Sequence, residues 1–128
     1  MDDTKVALLI VDDSRSMRAY LARTLGTDYE VHDAPNGMAA LELMLQEEGF
    51  AVVLVDINMP RMDGYEFVRQ VRTSNEPWAD VPIIMVSSEH ESKDRNLAFA
   101  VGANAYLVKP VGSQVLLDVV NVVVGKVV

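Results

Sequence analysis

The stretch Val52-Val53-Leu54-Val55-Asp56 is an apolar run that ends in a carboxylate. Three other apolar runs also end in polar side chains: Asp12-Asp13 follows residues 6–11, Ser87 follows residues 83–86, and Lys109-Pro110 follows residues 106–108. If these runs are parallel strands of one sheet, their carboxyl ends meet at one edge, where open α/β sheets place their ligand sites. Three carboxylates, a hydroxyl and an ammonium group would then share one pocket.

Such a cluster of carboxylates requires a cation. Two unbalanced carboxylates a few ångströms apart repel each other by about 4 kcal/mol at an effective dielectric constant of roughly 20. A hard divalent ion relieves this repulsion, and Mg²⁺ is the simplest candidate because it prefers oxygen ligands. The pattern therefore predicts a Mg²⁺ site that includes Asp12, Asp13 and Asp56.

Length, charge and composition restrict the class of protein. With 128 residues, half of them apolar, the chain is long enough for one core, and we expect a single domain over residues 1–128. The net charge of −8 disfavours direct binding to nucleic acid or to an anionic membrane, because both use basic patches. The chain has no cysteine, which excludes disulfides and thiolate chemistry. A protein partner or a small ligand is the expected binding class.

The start of the chain and its hydropathy indicate a cytoplasmic protein. The first five residues, Met1-Asp2-Asp3-Thr4-Lys5, are acidic and polar, unlike a secretory signal. No apolar run reaches the ~20 residues that a membrane-spanning helix needs. We therefore expect no membrane partner.

Strand-like and helix-like stretches alternate along the chain. The predicted strands cover residues 6–11, 29–32, 51–55, 83–86 and 105–108. The predicted helix starts are Ser14, Asn36, Asp63, Ser92 and Gly112 or Ser113, and the predicted helix ends are Gly26, Gly49 and Gly102. The fourth helix is expected to pack through Leu97 and Val101.

Five strands and five helices in strict alternation predict a parallel sheet with helices on both faces. The expected fold is the flavodoxin-like α/β fold, a doubly wound (βα)5 sheet with strand order 2-1-3-4-5. In this order strands one and three are neighbours. Asp12 and Asp13 would therefore lie beside Asp56.

Taken together, the patterns resemble the receiver domain of two-component response regulators over nearly the whole chain. The resemblance depends on Asp12-Asp13, the motif Asp-x-x-Met-Pro-x-Met-Asp-Gly at residues 56–64, Ser87 and Lys109-Pro110, all in this order. Each pattern alone has a simpler interpretation, since Asp-Asp-Ser often caps a helix and Lys-Pro often forms a turn. Their combination favours the family.

This resemblance implies the chemistry of the site. Asp56 would be the phosphoacceptor for a phosphoryl group from a sensor histidine kinase or a phosphotransfer protein. Asp13, Asp56 and the backbone carbonyl of Asn58 would bind Mg²⁺ directly, and Asp12 would bind it mainly through coordinated water. Lys109 would pair with the acceptor carboxylate before transfer and with a phosphoryl oxygen afterwards.

The resemblance also implies a conformational switch and a self-dephosphorylation that limits its duration. The Lys109-Pro110 bond is expected to be cis, and Ser87 would donate a hydrogen bond to the phosphoryl group. Ser87 and Tyr106 would then alter the surface formed by the fourth helix, the fifth strand and the last helix. Asn58 and Glu89 would orient a water molecule, which predicts rapid self-dephosphorylation, as in chemotaxis-type receivers. Such a domain modifies only itself and is not an enzyme of metabolism.

The last predicted helix has almost no polar face. Its apolar residues are Leu116, Leu117, Val119, Val120, Val122, Val123, Val124, Val127 and Val128. A covering helix normally shows a polar face, so two hypotheses arise. The helix forms a homodimer, or the sequence is the N-terminal part of a longer response regulator with an output domain. A downstream target protein or that domain would supply the output.

Two other classes of function are compatible with parts of the pattern. A Mg²⁺-dependent phosphohydrolase that forms a phosphoaspartate would use the same acidic pocket, but such enzymes usually need a cap or a substrate pocket. A flavodoxin-like binder of flavin or nucleotide needs a glycine-rich first turn to hold phosphate. Here Asp12-Asp13-Ser14-Arg15 would repel a phosphate instead.

Overall fold

The computed structural model describes residues 5–47 and 49–125 of the chain. Its strands are β1 (Val6–Val11), β2 (Tyr29–Ala34), β3 (Val52–Asp56), β4 (Ile83–Ser87) and β5 (Ala105–Val108). Its helices are α1 (Arg15–Leu25), α2 (Gly37–Gln46), α3 (Gly64–Thr73), α4 (Ser92–Val101) and α5 (Ser113–Val123). The strands form one parallel sheet in the order β2-β1-β3-β4-β5. The predicted flavodoxin-like fold is confirmed.

The sheet separates two apolar cores. Side chains alternate along each strand, so neighbouring residues enter opposite cores. The core under α2, α3 and α4 receives Leu9, Val11, Val53, Val55, Ile83 and Met85. The core under α1 and α5 receives Leu8, Ile10, Leu54, Ile84 and Val86. Because both faces are covered, the central strands are continuous apolar runs.

The register of the strands aligns their carboxyl ends. Val11 of β1 pairs with Val55 of β3, and Asp56 pairs with Val86 of β4. Ser87 pairs with Val108 of β5. The polar residues that follow these positions therefore lie at one edge of the sheet.

Three predicted helix caps are confirmed and one is wrong. Ser14, Asn36 and Asp63 each accept a hydrogen bond from the backbone N–H three residues later, at 3.2, 2.8 and 2.9 Å. In α4 the cap is Glu91, without a side-chain bond, and Ser92 is the first helical residue. Glu91 is extended, with φ −79° and ψ 152°, and its carbonyl already accepts the first bonds of the helix.

Other boundaries and one packing residue also differ from the sequence prediction. Strand β2 continues to Ala34, β3 begins one residue later than predicted, and α2 ends at Gln46, before Gly49. Helix α4 buries Ala98, whereas Leu97 is 41% exposed. A small residue occupies the packing position because α4 lies close to the sheet and to α3.

Helix α5 buries one stripe and exposes another. Leu116 and Val120 face the core, whereas Val115 is 53% exposed and Val122 is 76% exposed. Val127 and Val128 lie outside the described residues. Over residues 5–47 and 49–125, no helix combines the length and the apolar character needed to cross a membrane.

Arg72, near the end of α3, binds the backbone next to the amino ends of β4 and β5. Its guanidinium makes five hydrogen bonds of 2.7–3.1 Å to the carbonyls of Gly102, Ala79 and Val81 and to the side-chain oxygen of Asn104. A guanidinium has five N–H donors, so all of them are used. Burial lowers the pKa of Arg72, an effect that the nearby Asp80 carboxylate opposes.

Asn104 and Gly102 lie close to the Arg72 side chain. The Asn104 oxygen also accepts a hydrogen bond of 2.8 Å from the backbone N–H of Ile83, the first residue of β4. Gly102 has φ 118°, and a Cβ atom there would lie 2.9 Å from the Arg72 side chain. The glycine therefore both ends α4 and leaves room for the guanidinium.

We expect Arg72→Met to lower the free energy of unfolding by about 2–4 kcal/mol, because several partly buried acceptors lose their donor together. Urea denaturation monitored by circular dichroism measures this change. Arg69→Met is the matched control in the same helix. Arg69 is half exposed and has one long contact to Glu66, so it should cost about 0.5 kcal/mol or less. Equal losses in both variants would contradict the role given to Arg72.

Candidate functional site

Lys109 joins two buried carboxylates at the carboxyl edge of the sheet. Its Nζ atom lies 3.2 Å from Asp12 Oδ2 and 3.2 Å from Asp56 Oδ1. Asp12 is 2% exposed and Asp56 is 6% exposed. The second oxygen of Asp12 accepts a hydrogen bond of 2.8 Å from the backbone N–H of Ser14. Such buried charges need partners, and the ammonium group supplies one for each.

Asp13 completes an acidic cluster that is open to solvent. One carboxylate oxygen from each of Asp12, Asp13 and Asp56 lies within 4.8 Å of the others, and Asp13 is exposed. Three carboxylates outnumber the single ammonium group, so negative charge is in excess. An all-oxygen donor set with one exposed member suits a hard divalent cation. The acidic cluster predicted from the sequence is therefore present in the fold.

The pKa values of Asp56 and Lys109 are both raised in this site. Burial raises the pKa of Asp56 and the Asp12 charge raises it further, whereas Lys109 and a backbone hydrogen bond from Asn58 act in the opposite direction. Burial alone would lower the pKa of Lys109. Its two carboxylate partners outweigh that effect, and the pKa of Lys109 is raised. Lys109 is therefore held in its charged form beside the carboxylates.

The loop after β3 turns back tightly over the end of that strand. A Cβ atom at Gly64 would lie 2.6 Å from the Asp56 carbonyl oxygen and 2.7 Å from Ile57 Cα, so only glycine fits there without a shift of the backbone. The Gly64 N–H donates a hydrogen bond of 2.8 Å to the Ile57 carbonyl. Asn58 lies exposed at the start of this loop, next to Asp56.

The end of β4 holds the backbone of Lys109. Ser87 is fully buried, and its carbonyl accepts a hydrogen bond of 2.8 Å from the Lys109 N–H. The Ser87 hydroxyl oxygen accepts a hydrogen bond of 3.0 Å from the Glu89 N–H. The peptide bond between Lys109 and Pro110 is cis. Ser87 thus contacts the backbone of both loops beside Asp56.

Comparison with known proteins identifies this arrangement. The family model of the response regulator receiver domain matches residues 8–121. The chain belongs to this family. The resemblance found in the sequence is therefore confirmed, and the chain is a receiver domain of a two-component response regulator, which is a signalling domain.

Several similar proteins are named as chemotaxis proteins. The receiver domain is 40% identical over 121 residues to the chemotaxis protein CheY homolog of Campylobacter jejuni, covering 92% of both chains. It is 38% identical over 120 residues to chemotaxis protein CheY1 of Helicobacter pylori, covering 92% of this chain and 96% of the relative. The structure of CheY4 of Vibrio cholerae superposes with a TM-score of 0.86 at 37% identity, covering 94% of this chain and 99% of that chain.

Tyr106 of the receiver domain lies beside the loop after β4. Its hydroxyl donates a hydrogen bond of 2.7 Å to the Glu89 carbonyl, and Arg95 Cζ lies 5.7 Å from the centre of its ring. Burial raises the pKa of Tyr106. The Glu89 side chain is exposed. Ser87 and Tyr106 therefore contact the same short loop, one through the N–H and the other through the carbonyl of Glu89.

Two arginines near the site were not identified from the sequence. Arg18 donates a hydrogen bond of 2.7 Å to the carbonyl of Asp12, and Arg95 lies over the ring of Tyr106. One signal for Arg18 was available in the sequence. It lies four residues after the cap Ser14, one helical turn into α1, and so close to the end of β1.

We expect Asp56→Asn to raise the free energy of unfolding by about 1–2 kcal/mol at neutral pH, because it removes a buried charge, while Lys109 keeps Asp12 as its partner. The pKa of Asp56 is raised in the folded state above its ordinary value of 3.8. The wild type therefore loses stability as the pH rises through that folded-state pKa. The gain of the variant should vanish in acid and grow with pH to a plateau.

Urea denaturation across the range from about pH 4 to pH 7 measures this profile. Asp118→Asn is the control, because Asp118 is exposed on α5. It should give only a small change in the free energy of unfolding. A variant at position 56 that is less stable than the wild type at neutral pH would contradict the assigned electrostatics.

Proposed function

We propose that the receiver domain accepts a phosphoryl group on Asp56, from a sensor histidine kinase or a phosphotransfer protein, with Mg²⁺ bound at the acidic cluster. The observation that supports this most directly is the double contact of Lys109 Nζ with Asp12 and Asp56, 3.2 Å each. A carboxylate held by an ammonium group beside two further carboxylates is suited to phosphoryl transfer, which depends on positioning and charge compensation.

The transfer forms one bond and breaks another. A carboxylate oxygen of Asp56 attacks phosphorus, and the phosphorus–nitrogen bond of the donor histidine breaks, so that its electron pair returns to the imidazole. Lys109 releases the carboxylate oxygen and pairs with a phosphoryl oxygen. Asp13, Asp56 and the Asn58 carbonyl would hold Mg²⁺ directly and Asp12 through water, and the bound cation would offset the negative charge of the incoming group.

Phosphorylation then acts on Ser87 and Tyr106. The Ser87 hydroxyl accepts from the Glu89 N–H and also has a side-chain hydrogen bond with Tyr106, so it would turn from Tyr106 to donate to a phosphoryl oxygen. Phosphorylated Asp56 carries more negative charge and three strong acceptor oxygens, which favours that reorientation. Tyr106 contacts the same loop through the Glu89 carbonyl and would follow its movement. The event is a shift between two populated states.

The output surface in this proposal consists of α4, β5 and α5. These elements expose apolar side chains: Leu97 and Phe99 on α4, and Val115 and Val122 on α5. A downstream target protein or an output domain would bind there. The homodimer through α5 stays a prediction, as do the single-domain boundary at residues 1–128 and the cytoplasmic location.

The phosphorylated state should decay quickly. Asn58 and Glu89 are both exposed near Asp56 and Ser87, where an amide and a carboxylate can orient a water molecule for attack on the acyl phosphate. The relatives from Campylobacter jejuni and Helicobacter pylori are named as chemotaxis proteins, a use in which short-lived signals are expected.

We expect one phosphoryl adduct when the wild type is treated with a small phosphodonor and Mg²⁺, and none in Asp56→Asn, because only the carboxylate forms the acyl phosphate. Intact-mass spectrometry detects the adduct. Asp118→Asn is the matched control, since Asp118 is an exposed carboxylate on α5, and it should keep the adduct. An adduct that persists in Asp56→Asn would refute the assignment. Turnover of a small phosphoester would support the phosphohydrolase alternative instead.

We expect Asn58→Ala and Glu89→Ala to slow the loss of the phosphoryl group by roughly tenfold each, because each removes a group that orients water. The measurement follows the adduct by mass spectrometry after removal of the donor. His90→Ala, at an exposed neighbouring position, should keep the wild-type rate. A lifetime of many hours for the phosphorylated wild type would contradict the proposed rapid dephosphorylation.

A further inference from the structure

Arg18 binds the backbone at the acidic cluster rather than one of its carboxylates. Its Nη1 atom donates a hydrogen bond of 2.7 Å to the carbonyl of Asp12, and its Nε atom donates one of 3.2 Å to Asp33 Oδ2. The Arg18 side chain is only 17% exposed. The guanidinium therefore bridges the end of β1 and the end of β2.

With this contact, the N–H, the carbonyl and the carboxylate of Asp12 each have a hydrogen-bond partner. The Asp12 N–H donates a hydrogen bond of 3.2 Å to the Ala34 carbonyl, and the carboxylate is held by Ser14 and Lys109. The Asp12 carbonyl belongs to the peptide group that leads to Asp13, and Arg18 is its donor. With a planar peptide, the direction of that carbonyl sets the direction in which the chain enters Asp13.

Asp13 depends on this backbone for its position. It is the exposed member of the acidic cluster, so core packing does not hold its side chain as it holds those of Asp12 and Asp56. Ligand atoms of a cation site must be held closely, and groups that orient the ligands affect affinity strongly. A donor to the peptide before Asp13 is such a group.

We infer that Arg18 is a positioning residue for the cation site. By holding the carbonyl of Asp12, Arg18 orients the Asp13 carboxylate toward the carboxylates of Asp12 and Asp56. This inference rests on the proposed function, which assigns a divalent cation to these three carboxylates.

The two possible roles of Arg18, as a positive charge and as a positioning residue, predict opposite changes in cation affinity when Arg18 is removed. If the arginine acted only as a positive charge, its removal would leave Asp33 unpaired and make the edge more negative, which strengthens cation binding. If it acts as a positioning residue, its removal loosens the peptide between Asp12 and Asp13 and weakens cation binding. The sign of the change therefore separates the two roles.

Binding of Mn²⁺, a probe that also prefers oxygen ligands, measures the sign directly. Electron paramagnetic resonance of free Mn²⁺ gives the Kd for the wild type, Arg18→Met, Arg18→Lys and Arg15→Met. We expect the Kd of Arg18→Met to rise roughly tenfold. Arg18→Lys should lie between it and the wild type, because one ammonium group replaces a fork of several donors. Arg15 is exposed in the first turn of the same helix, so Arg15→Met loses the same charge and should leave the Kd equal or lower.

A second measurement uses phosphorylation of the same variants. With a small phosphodonor, Arg18→Met should need roughly tenfold more Mg²⁺ for half-maximal rate, whereas its rate at saturating Mg²⁺ should change less. A fold made merely less stable would not produce this pattern in the folded fraction. An unchanged Mg²⁺ requirement would overturn the inference.

The remaining outcomes are also decisive. If Arg18→Met binds Mn²⁺ as tightly as the wild type, or more tightly, this result overturns the positioning role. If circular dichroism shows that Arg18→Met does not fold, Arg18→Lys decides: a raised Kd supports the inference and a wild-type Kd overturns it. A wild type that binds no Mn²⁺ or Mg²⁺ overturns the proposed cation site itself and this inference with it.

Discussion

The ion pairs of Lys109 with Asp12 and Asp56 are the interaction on which the functional edge of the sheet depends. Two nearly buried carboxylates repel each other and lose hydration, and the ammonium group offsets part of both effects, although the pKa of Asp56 stays raised. The partners are 97 and 53 residues apart in sequence, so only the strand order makes the contact possible. The apolar cores therefore serve the site by fixing the register of β1, β3 and β5.

The backbone supplies as much of the site as the side chains do. The Lys109 N–H binds the Ser87 carbonyl, the Ser14 N–H binds the Asp12 carboxylate, and both polar groups of the Glu89 peptide segment bind Ser87 or Tyr106. These bonds place the Lys109 ammonium group beside Asp56 and join Ser87 and Tyr106 to the loop after β4. Close approach at Gly64 adds a steric constraint on the same strand end. Under the proposed function, a change at Asp56 would be transmitted through these main-chain bonds.

The sequence predicted the fold, the strand order and the acidic cluster, because continuous apolar runs that end in polar residues carry that information. It failed where tertiary contacts override local preference. Ser92 has a high capping propensity, but the extended backbone of Glu91 begins the helix one residue earlier. Arg72 binds mainly backbone carbonyls, and Arg18 binds one backbone carbonyl together with the Asp33 carboxylate. An arginine on a helix has the same appearance in sequence whether its guanidinium is solvated or binds such carbonyls.

Arg72 and its acceptors lie before β4 and β5, at the edge of the sheet opposite the acidic cluster. The hydrogen bonds of Arg72 and the carboxylates of the acidic cluster are thus separated by the length of a strand. In many proteins, gains in robustness reduce activity because both properties reside in the same residues. Here a substitution around Arg72 can change the stability of the fold without touching Asp12, Asp13 or Asp56.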